Sequence, residues 1–345
     1  MVSKMKIAIS GLGRIGRSVL KINLLSDKFE VSFCNDVNPD IENLAYLLNY
    51  DSTYGKFQKK ISYNDNHLVC DEKKIDYLFS KSLLEINWDK YETDILIISS
   101  GIENNILEAR KLINDGKIKK AIVTQCSDEV DKEIILGVND DSLSSEQNLI
   151  SSSICDANAI AHIIKWINND FVIKSGSITT LHPWLGYQNL LDSFSFSSSN
   201  PGVPWPDYAL ARSSIDNIIP KKTTALLAVE NVVPEIKSKM IAFSYRVPTN
   251  IVSSSDITLC LEKEISLEDF RAFIEQKSND SKYVSSNYDS LVSKDYIANE
   301  SSAIIDMQWI QKTDNLFKLV LWYDNEWGYS CRVIDLAEKI SSYIE

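Results

Sequence analysis

A glycine-rich turn near the start of the chain constrains its fold more than any other feature. Gly11, Gly13 and Gly16 lie between the apolar run KIAIS and the amphipathic stretch RSVLKINLL, and the next apolar run, EVSFCND, ends on Asp36. In a β-α-β unit, the first glycine permits a tight turn and the second lets a pyrophosphate approach the backbone. The third allows close helix–strand packing. The pattern therefore predicts a dinucleotide-binding unit.

The acidic residue at the end of the second strand indicates which dinucleotide is bound. The Asp36 carboxylate can accept hydrogen bonds from a ribose diol and would repel a 2′-phosphate, so NAD is favoured over NADP. Strand-like and helix-like stretches keep alternating downstream, as DILIISSG, NNILEARKLIND and KAIVTQC. That alternation predicts a mostly parallel, doubly wound sheet, which is a Rossmann domain.

The second half of the chain has a different pattern. Its long alternating stretches, among them SKMIAFSYRV, IVSSSDITLCLE and NLFKLVLWYDNEW, predict a large antiparallel sheet with helices between some strands. Because 345 residues exceed what one core usually holds, we expect two domains. The serine- and proline-rich stretch Asp192–Tyr208 is expected to be a long loop whose role the sequence leaves open.

Composition excludes several function classes. The formal net charge of −12 argues against nucleic acid as a partner. The longest apolar runs are too short for a membrane span, and no leader pattern opens the chain. Six scattered cysteines form no CxxC pair and no cluster with metal-ligand spacing, so we expect no metal and reduced thiols. We predict a cytoplasmic protein without membrane or nucleic-acid partners.

One cysteine stands directly before a predicted helix, in SSSICDANAIAHIIKW, and one of the three histidines follows in GSITTLHPW. A thiol at a helix N-terminus feels the positive end of the helix dipole, which favours thiolate. Cys155 could thus be a nucleophile with His182 as its base. Alternatively, both could be packed core residues, and spacing alone favours that second interpretation.

Several longer motifs together carry a family resemblance. The chain resembles phosphorylating glyceraldehyde-3-phosphate dehydrogenases over nearly its whole length and in the same order, through KIAISGLGRIGR, YDSTYGKF, CDANAIAHIIK, TTLH with QNLLDS, NIIPKKTTALLAVENVVPEIKSKMIAFSYRVPT, and WYDNEWGYSCRVIDL. The resemblance implies an α/β Rossmann domain formed by residues 1–154 with 331–345. It also implies an α+β catalytic domain over residues 155–330, built on a large antiparallel sheet, and a homotetramer.

The resemblance also implies roles for single residues. It identifies Cys155 as the catalytic nucleophile and His182 as its base. The residues expected to bind NAD include the glycines of the turn, Gly11, Gly13 and Gly16. By the same resemblance they also include Arg14, Ile15, Asp36, Ser100, Asn325 and Tyr329. The reaction implied is NAD-dependent oxidation of a small aldehyde through a thiohemiacetal and a thioester.

The phosphate-binding residues of the family are mostly missing. The nucleophile motif S-C-T-T-N is replaced by a sequence with Ile154 before Cys155 and Asp156 after it. Leu185 and Leu210 stand where the family has a threonine and an arginine, whereas Thr223 and Arg246 are kept as substrate-binding candidates. An acid and apolar side chains would disfavour a phosphate dianion. Alternatively, Lys221, Lys222 or Arg212 could supply the missing charge.

Three functions remain open from the sequence. The first is a dehydrogenase for a small aldehyde other than glyceraldehyde 3-phosphate, with a carboxylate that Arg246 could bind. The second is the ordinary phosphorylating enzyme with a divergent anion site. The third is a non-enzymatic NAD-binding or redox-sensing protein, which the retained Cys155, His182 and Asn325 speak against. We expect an altered substrate, while the thioester could be released by phosphate or by water.

Overall fold

The structure is a computed structural model that describes residues 4–197, 200 and 202–344. It separates into two compact units. Unit 1 comprises the described residues up to Ile134, Ser142–Ser153 and those from Ser330 onward, and unit 2 comprises Ile135–Asp141 and Ile154–Tyr329. The short segment Ile135–Asp141, which the sequence boundaries assign to the first domain, clusters with unit 2. The domain boundaries drawn from the sequence stay a prediction.

Unit 1 is organised around one large sheet. The strands of unit 1 are β1 (Lys6–Ser10), β2 (Glu30–Asp36), β3 (Tyr50–Asp51), β4 (Gly55–Lys56), β5 (Ile61–Asn64), β6 (His67–Cys70), β7 (Lys73–Phe79), β8 (Ile95–Ile98), β9 (Lys120–Val123), β10 (Lys132–Glu133) and β11 (Leu149–Ser151). Its helices are α1 (Arg14–Ser26), α2 (Ile41–Asn49) and α3 (Glu103–Asn114). Strands β3 and β4 form a separate hairpin.

The strand order of the large sheet is β10-β11-β9-β8-β1-β2-β7-β6-β5. All neighbours from β10 to β7 pair in parallel, and only the edge strands β6 and β5 pair antiparallel. The central strands β8 and β9 are buried along their whole length, as expected for parallel strands covered on both faces. The order reverses between β1 and β8, which is where doubly wound sheets bind dinucleotides. The predicted Rossmann domain is confirmed.

Unit 2 is built on an eight-stranded sheet within the described residues. Its strands are β12 (Ile173–His182), β13 (Ile219–Lys221), β14 (Met240–Arg246), β15 (Ser253–Leu261), β16 (Val284–Asn287), β17 (Ala303–Asp306), β18 (Gln311–Thr313) and β19 (Leu316–Tyr323). Its helices are α4 (Cys155–Phe171), α5 (Ala225–Val232) and α6 (Leu267–Asn279). A last helix, α7 (Trp327–Ser341), begins in unit 2 and continues in unit 1 from Ser330.

The sheet of unit 2 is mixed rather than purely antiparallel. Most neighbours are antiparallel, but β12 pairs with β14 in parallel and β16 pairs with β17 in parallel. The chain passes through β13 and α5 between β12 and β14, and such a crossover through a helix brings the next strand back in the same direction. The predicted large sheet is therefore present, with two parallel pairs that strand periodicity does not reveal.

Helix α4 covers one face of this sheet. Ile160, Ile163, Ile164 and Ile167 recur at helical spacing and have no exposed surface. The buried face of β19 presents Phe317, Leu319, Leu321 and Tyr323 at alternate positions. Burial of this apolar surface fixes the position of the helix and hence of its first residue, Cys155.

Two further sequence expectations concern membranes and cysteines. Among the residues that the structure describes, no helix is long and apolar enough to cross a membrane. All six cysteines are free thiols. Among its described residues, the expected loop Asp192–Tyr208 contains no helix and no strand, and one isolated β-bridge joins Phe196 and Pro204. Ser198, Ser199 and Pro201 lie outside the described residues.

Candidate active site

The ends of several elements of unit 2 meet at one edge of its sheet. Cys155 is the first residue of α4, and His182 is the last residue of β12. The β12–β14 register places His182 directly beside Arg246, the last residue of β14. Tyr323 ends β19 and pairs with Ser253 at the start of β15. Four chemically active side chains are thus carried by rigid elements rather than by loops.

The cysteine and the histidine are in contact. The Cys155 Sγ lies 3.7 Å from the His182 Nε2. The other ring nitrogen, Nδ1, lies 2.8 Å from the Pro183 carbonyl oxygen, so it donates a proton there. This hydrogen bond fixes the neutral tautomer, in which Nε2 has a free lone pair directed at the thiol. The geometry is that of a nucleophile with a general base.

The ionisation of the pair is set by burial and by neighbouring charges. Burial and, secondarily, the Arg246 guanidinium lower the pKa of His182 to about 4. Burial and the Asp156 carboxylate raise the pKa of the Cys155 thiol well above its usual value, while Arg246 opposes them. Both shifts favour a neutral thiol beside a neutral imidazole at rest, against the thiolate that the helix dipole alone favours. The proton must move to His182 as the sulfur attacks.

An aspartate completes the cluster on the other side of the sulfur. The Asp156 Oδ1 lies 3.7 Å from the Cys155 Sγ and accepts a hydrogen bond of 2.7 Å from the Tyr323 hydroxyl. The same hydroxyl lies 3.1 Å from the Ser255 Oγ. Asp156 is 6% exposed and occupies the first turn of α4, where the helix dipole stabilises a negative charge. From the sequence, Asp156 is expected only to repel phosphate, and no sequence pattern points to Tyr323.

Cys155, Asp156 and His182 offer three ligand atoms that all lie within 4.8 Å of one another. These ligand types suit zinc. A bound ion would, however, occupy both the sulfur and the Nε2 lone pair that nucleophilic chemistry requires. We therefore assign the three residues to acid–base and covalent chemistry rather than to a metal centre.

A cavity of about 750 Å³ opens over these residues and carries an excess of cations. Lys221, Lys222 and Arg246 line it, against the carboxylates of Asp156 and Asp207. The Lys221 Nζ lies 4.3 Å from the centre of the Trp205 ring. It also lies 3.2 Å from the Tyr187 hydroxyl oxygen. The cavity is thus a positively charged chamber with aromatic walls, suited to a small anionic molecule.

Two observations concern the positive charge of this cavity and its capacity to bind an anion. The Nε of Arg246 is buried and has no hydrogen-bond partner among the described residues. Although burial raises the pKa of Tyr187, Arg246 and Lys221 together bring it below its usual value. A buried guanidinium with an open donor is a fitting partner for a carboxylate or a phosphate oxygen.

The structure separates the residues that were proposed as substitutes for the missing phosphate ligands. Lys221 and Lys222 line the cavity, whereas Arg212 pairs with Asp192 at 2.8 Å on the exposed surface. Leu210 is only 2% exposed and lies in the core. The Thr223 hydroxyl lines the cavity but also accepts a hydrogen bond of 3.0 Å from the Ala225 amide at the start of α5.

The glycine turn of unit 1 borders a second, smaller cavity of about 190 Å³. Gly11 has a φ of +92°, and a Cβ there would lie 2.3 Å from the Ser100 amide nitrogen. A Cβ on Gly16 would lie 1.9 Å from the Gly11 carbonyl oxygen, whereas one on Gly13 would meet no atom within 4 Å. Two glycines therefore permit close packing, and Gly13 leaves open space at the N-terminus of α1. This is the cradle that a dinucleotide pyrophosphate requires.

The remaining cofactor candidates of unit 1 lie around this turn. The Asp36 carboxylate accepts hydrogen bonds from the Leu12 and Asn38 amides and lines the cavity, as does Ser100, whose hydroxyl donates to the Asn105 side chain at 2.8 Å. Arg14 forms an ion pair with Asp51 at 2.6 Å, and Ile15 is partly buried in α1. Backbone amides thus hold the Asp36 carboxylate in place, and its contact with a ribose diol stays a prediction.

The two candidates of unit 2 lie near the start of α7. The Asn325 side-chain oxygen accepts a hydrogen bond of 3.1 Å from the Val252 amide, which leaves its amide group to donate. Asn325 and Tyr329 are each 4% exposed. Their proposed contact with the nicotinamide stays a prediction.

Alanine at Gly16 and at Gly13 should have opposite effects. Gly16→Ala forces a Cβ into a backbone oxygen, so we expect it to lower the free energy of unfolding by about 3 kcal/mol, the upper end of the usual cost of overpacking. Gly13→Ala should cost about 1 kcal/mol or less, yet it should weaken NAD binding because it fills the open space. Urea denaturation and fluorescence titration with NAD measure the two effects. Equal stability losses, or unchanged NAD affinity in Gly13→Ala, would contradict this assignment of the turn.

Comparison with known proteins agrees with this geometry. Two family models match the chain, the NAD-binding domain of glyceraldehyde 3-phosphate dehydrogenase over residues 5–106 and its C-terminal domain over residues 154–325. A glyceraldehyde-3-phosphate dehydrogenase of Priestia megaterium is 37% identical over 98% of both chains. Glyceraldehyde-3-phosphate dehydrogenase 1 of Bacillus subtilis is 35% identical over 97% of this chain and 98% of its own. Glyceraldehyde-3-phosphate dehydrogenase 3 of Saccharomyces cerevisiae is 34% identical over 97% and 99%.

Proposed function

Because the chain belongs to the glyceraldehyde-3-phosphate dehydrogenase family and is an NAD-dependent dehydrogenase of that type, we propose that it oxidises a small anionic aldehyde other than glyceraldehyde 3-phosphate. The observation that carries this proposal is the contact of 3.7 Å between the Cys155 Sγ and the His182 Nε2 at the base of a cation-lined cavity. Family membership speaks against the non-enzymatic alternative, which needs neither residue.

Covalent capture of the aldehyde is the first step. The Cys155 sulfur attacks the carbonyl carbon while its proton passes through the His182 Nε2 to the new hydroxyl group, which gives a thiohemiacetal. Burial makes the free thiolate unfavourable, so a base in direct contact is required. The hydrogen bond from Nδ1 to the Pro183 carbonyl keeps the imidazole in the orientation that this transfer needs.

Oxidation of the captured aldehyde is the second step. NAD, when bound, supplies the acceptor for a hydride. In the same step His182 takes the hydroxyl proton, so that the C–O bond becomes a carbonyl and Cys155 carries a thioester. Within unit 1, Gly11, Gly13, Gly16, Asp36 and Ser100 would hold the cofactor, with Arg14 and Ile15 beside the turn. Within unit 2, Asn325 and Tyr329 would hold the nicotinamide.

The charge distribution supports an altered substrate. Arg246 offers a buried open donor, and Lys221 and Lys222 add positive charge. Asp156, in contact with the sulfur, would repel a second anion at the reacting carbon. The cavity therefore favours an aldehyde with one anionic group held away from the sulfur, with Thr223 as a further polar contact. A carboxylate fits this description.

Ordinary phosphorylating glyceraldehyde-3-phosphate dehydrogenase is the second candidate. The names of the relatives at 34–37% identity favour it, and the three cations of the cavity could bind phosphate. The Asp156 carboxylate beside the sulfur is the observation that weighs against it.

Steady-state NADH formation discriminates between the two candidates. We expect weak activity with glyceraldehyde 3-phosphate at saturating phosphate, and higher kcat/KM with an aldehyde whose single carboxylate is separated from the carbonyl, such as succinic semialdehyde. Arg246→Ala should raise KM for the anionic aldehydes roughly 10- to 100-fold, since a charge-assisted hydrogen bond contributes about 1.5–3 kcal/mol. Propionaldehyde, which is neutral, is the control and should change little. A kcat/KM for glyceraldehyde 3-phosphate above about 10⁴ M⁻¹s⁻¹ would establish the ordinary enzyme instead.

Assembly and location belong to the same proposal. We propose a cytoplasmic homotetramer without nucleic-acid or membrane partners. Free thiols support a reducing compartment. Exposed apolar side chains on β14, Ile241 at 71% and Phe243 at 41%, support burial against further copies of the chain.

A further inference from the structure

We propose that this enzyme releases its product by hydrolysis, with Asp156 as the general base that activates water against the Cys155 thioester. This inference rests on the proposed function for the formation of the thioester. It assigns Asp156 a catalytic role that differs from that of His182, and it makes the product a free carboxylate rather than an acyl phosphate.

The position of Asp156 carries the inference. Its Oδ1 lies 3.7 Å from the sulfur that bears the acyl group, so a water between the carboxylate and the acyl carbon can contact both. Asp156 lines the cavity that the acyl group must occupy, which gives water access to it. The Tyr323 hydroxyl, at 2.7 Å, and the first turn of α4 hold the carboxylate in place.

The choice of nucleophile follows from charge and size. Inorganic phosphate would have to approach the acyl carbon beside Asp156, and the apolar residue Ile154 also lines the cavity. Like charges at this distance repel, and an apolar wall does not replace the hydration shell of the anion. Water is neutral, so Asp156 attracts it through a hydrogen bond instead of repelling it.

The two sides of the sulfur then have separate tasks. After hydride transfer His182 carries a proton on Nε2, 3.7 Å from the sulfur, and can give it to the departing thiolate. A group that donates a proton in this step cannot also accept one from water. Asp156 is an acid–base group in contact with the sulfur that is free to take this second task. The acid and the base thus flank the bond that breaks.

The step balances in atoms and protons. Asp156 takes one proton from water, and the remaining hydroxide adds to the thioester carbonyl. The C–S bond breaks, the sulfur takes the proton of His182, and a carboxylic acid leaves. The acid and Asp156 then each release a proton to solvent. The sum is aldehyde, NAD⁺ and water giving carboxylate, NADH and two protons.

Acetylation with p-nitrophenyl acetate tests deacylation without knowledge of the aldehyde. The ester should acetylate Cys155 with a burst of nitrophenolate, followed by slower turnover that hydrolysis of the acetyl-enzyme limits. Asp156→Asn should keep the burst and slow the turnover by roughly 10²-fold, the lower end of what a general base contributes. Asp170→Asn removes the same charge near the other end of α4, at an exposed position outside the cavity, and should leave the ratio of burst to turnover unchanged. An unchanged ratio in Asp156→Asn would overturn the inference, and the size of its burst reports whether the variant is folded.

A second measurement uses the wild-type protein alone. Turnover of the acetyl-enzyme should be independent of inorganic phosphate, and in H₂¹⁸O the acetate should gain one ¹⁸O atom. Acetyl phosphate as the product, with a rate that rises with phosphate, would overturn the inference. Failure to form NADH from any aldehyde would instead refute the proposed function while the acetyl-enzyme result stands, so the two claims fail separately.

Discussion

Replacing Cys155 by serine is expected to abolish NADH formation from every aldehyde that the wild-type protein oxidises. Serine has nearly the same size, but its hydroxyl is a far weaker nucleophile than a thiol. The neutral His182 imidazole removes a proton from a thiol more readily than from a hydroxyl. NAD binding should remain intact, because the glycine turn and Asp36 that support it belong to unit 1. Assays of NADH formation and titration with NAD measure the two properties on the same sample.

Cys260 provides the matched control for this substitution. It is a free, partly exposed thiol in β15, so Cys260→Ser tests whether loss of any thiol in unit 2 impairs the protein. We expect Cys260→Ser to retain wild-type turnover. Turnover by Cys155→Ser comparable to that of the wild type would remove Cys155 from the mechanism.

Replacing His182 by asparagine should slow acylation by roughly 10²–10⁴-fold, the usual contribution of a positioned acid–base group. Without the imidazole, the sulfur loses one of the two acceptors in contact with it, and that acceptor is the group that takes the proton in the oxidation step. The rate of the first turnover, followed by stopped-flow absorbance of NADH, isolates this step from product release. His67→Asn, which changes a surface histidine paired with Asp76 in unit 1, is the control and should have no effect.

The pH dependence of the same rate gives an independent test. A general base works in its neutral form, so the rate should be maintained from neutral pH downward and fall as the pH drops through about 4, the pKa of His182. Burial sets most of this depression and Arg246 adds to it, so Arg246→Ala should move the fall to a higher pH. A fall centred near 6.5 in the wild type would show that the imidazole is neither buried nor influenced by Arg246.

Local patterns in the sequence predicted much of the site. The glycine spacing sets the β1–α1 turn because Gly11 and Gly16 tolerate no Cβ, and that requirement is visible in the residues themselves. The apolar stripe after Cys155 predicted α4, so the position of the thiol at a helix start followed from periodicity. These features depend on neighbours in sequence, which is why sequence reasoning reaches them.

Features that depend on strand register were not predictable. Lys221 reaches the cavity because β13 pairs with β14, and Tyr323 reaches Asp156 because β19 pairs with β15. Neither pairing has a local signature. Leu210, which stands where the family has an arginine, lies in a turn and is buried in the core.

The covalent intermediate on Cys155 is the central claim, and peptide mass spectrometry after rapid acid quenching tests it most directly. Wild-type protein mixed with NAD and an aldehyde that it oxidises should carry the corresponding acyl group on the peptide containing Cys155, within the time of the first turnover. Asp156→Asn should accumulate more of the adduct because its removal is slowed. NADH formation without an acyl group on Cys155, or with the group on another residue, would contradict the account.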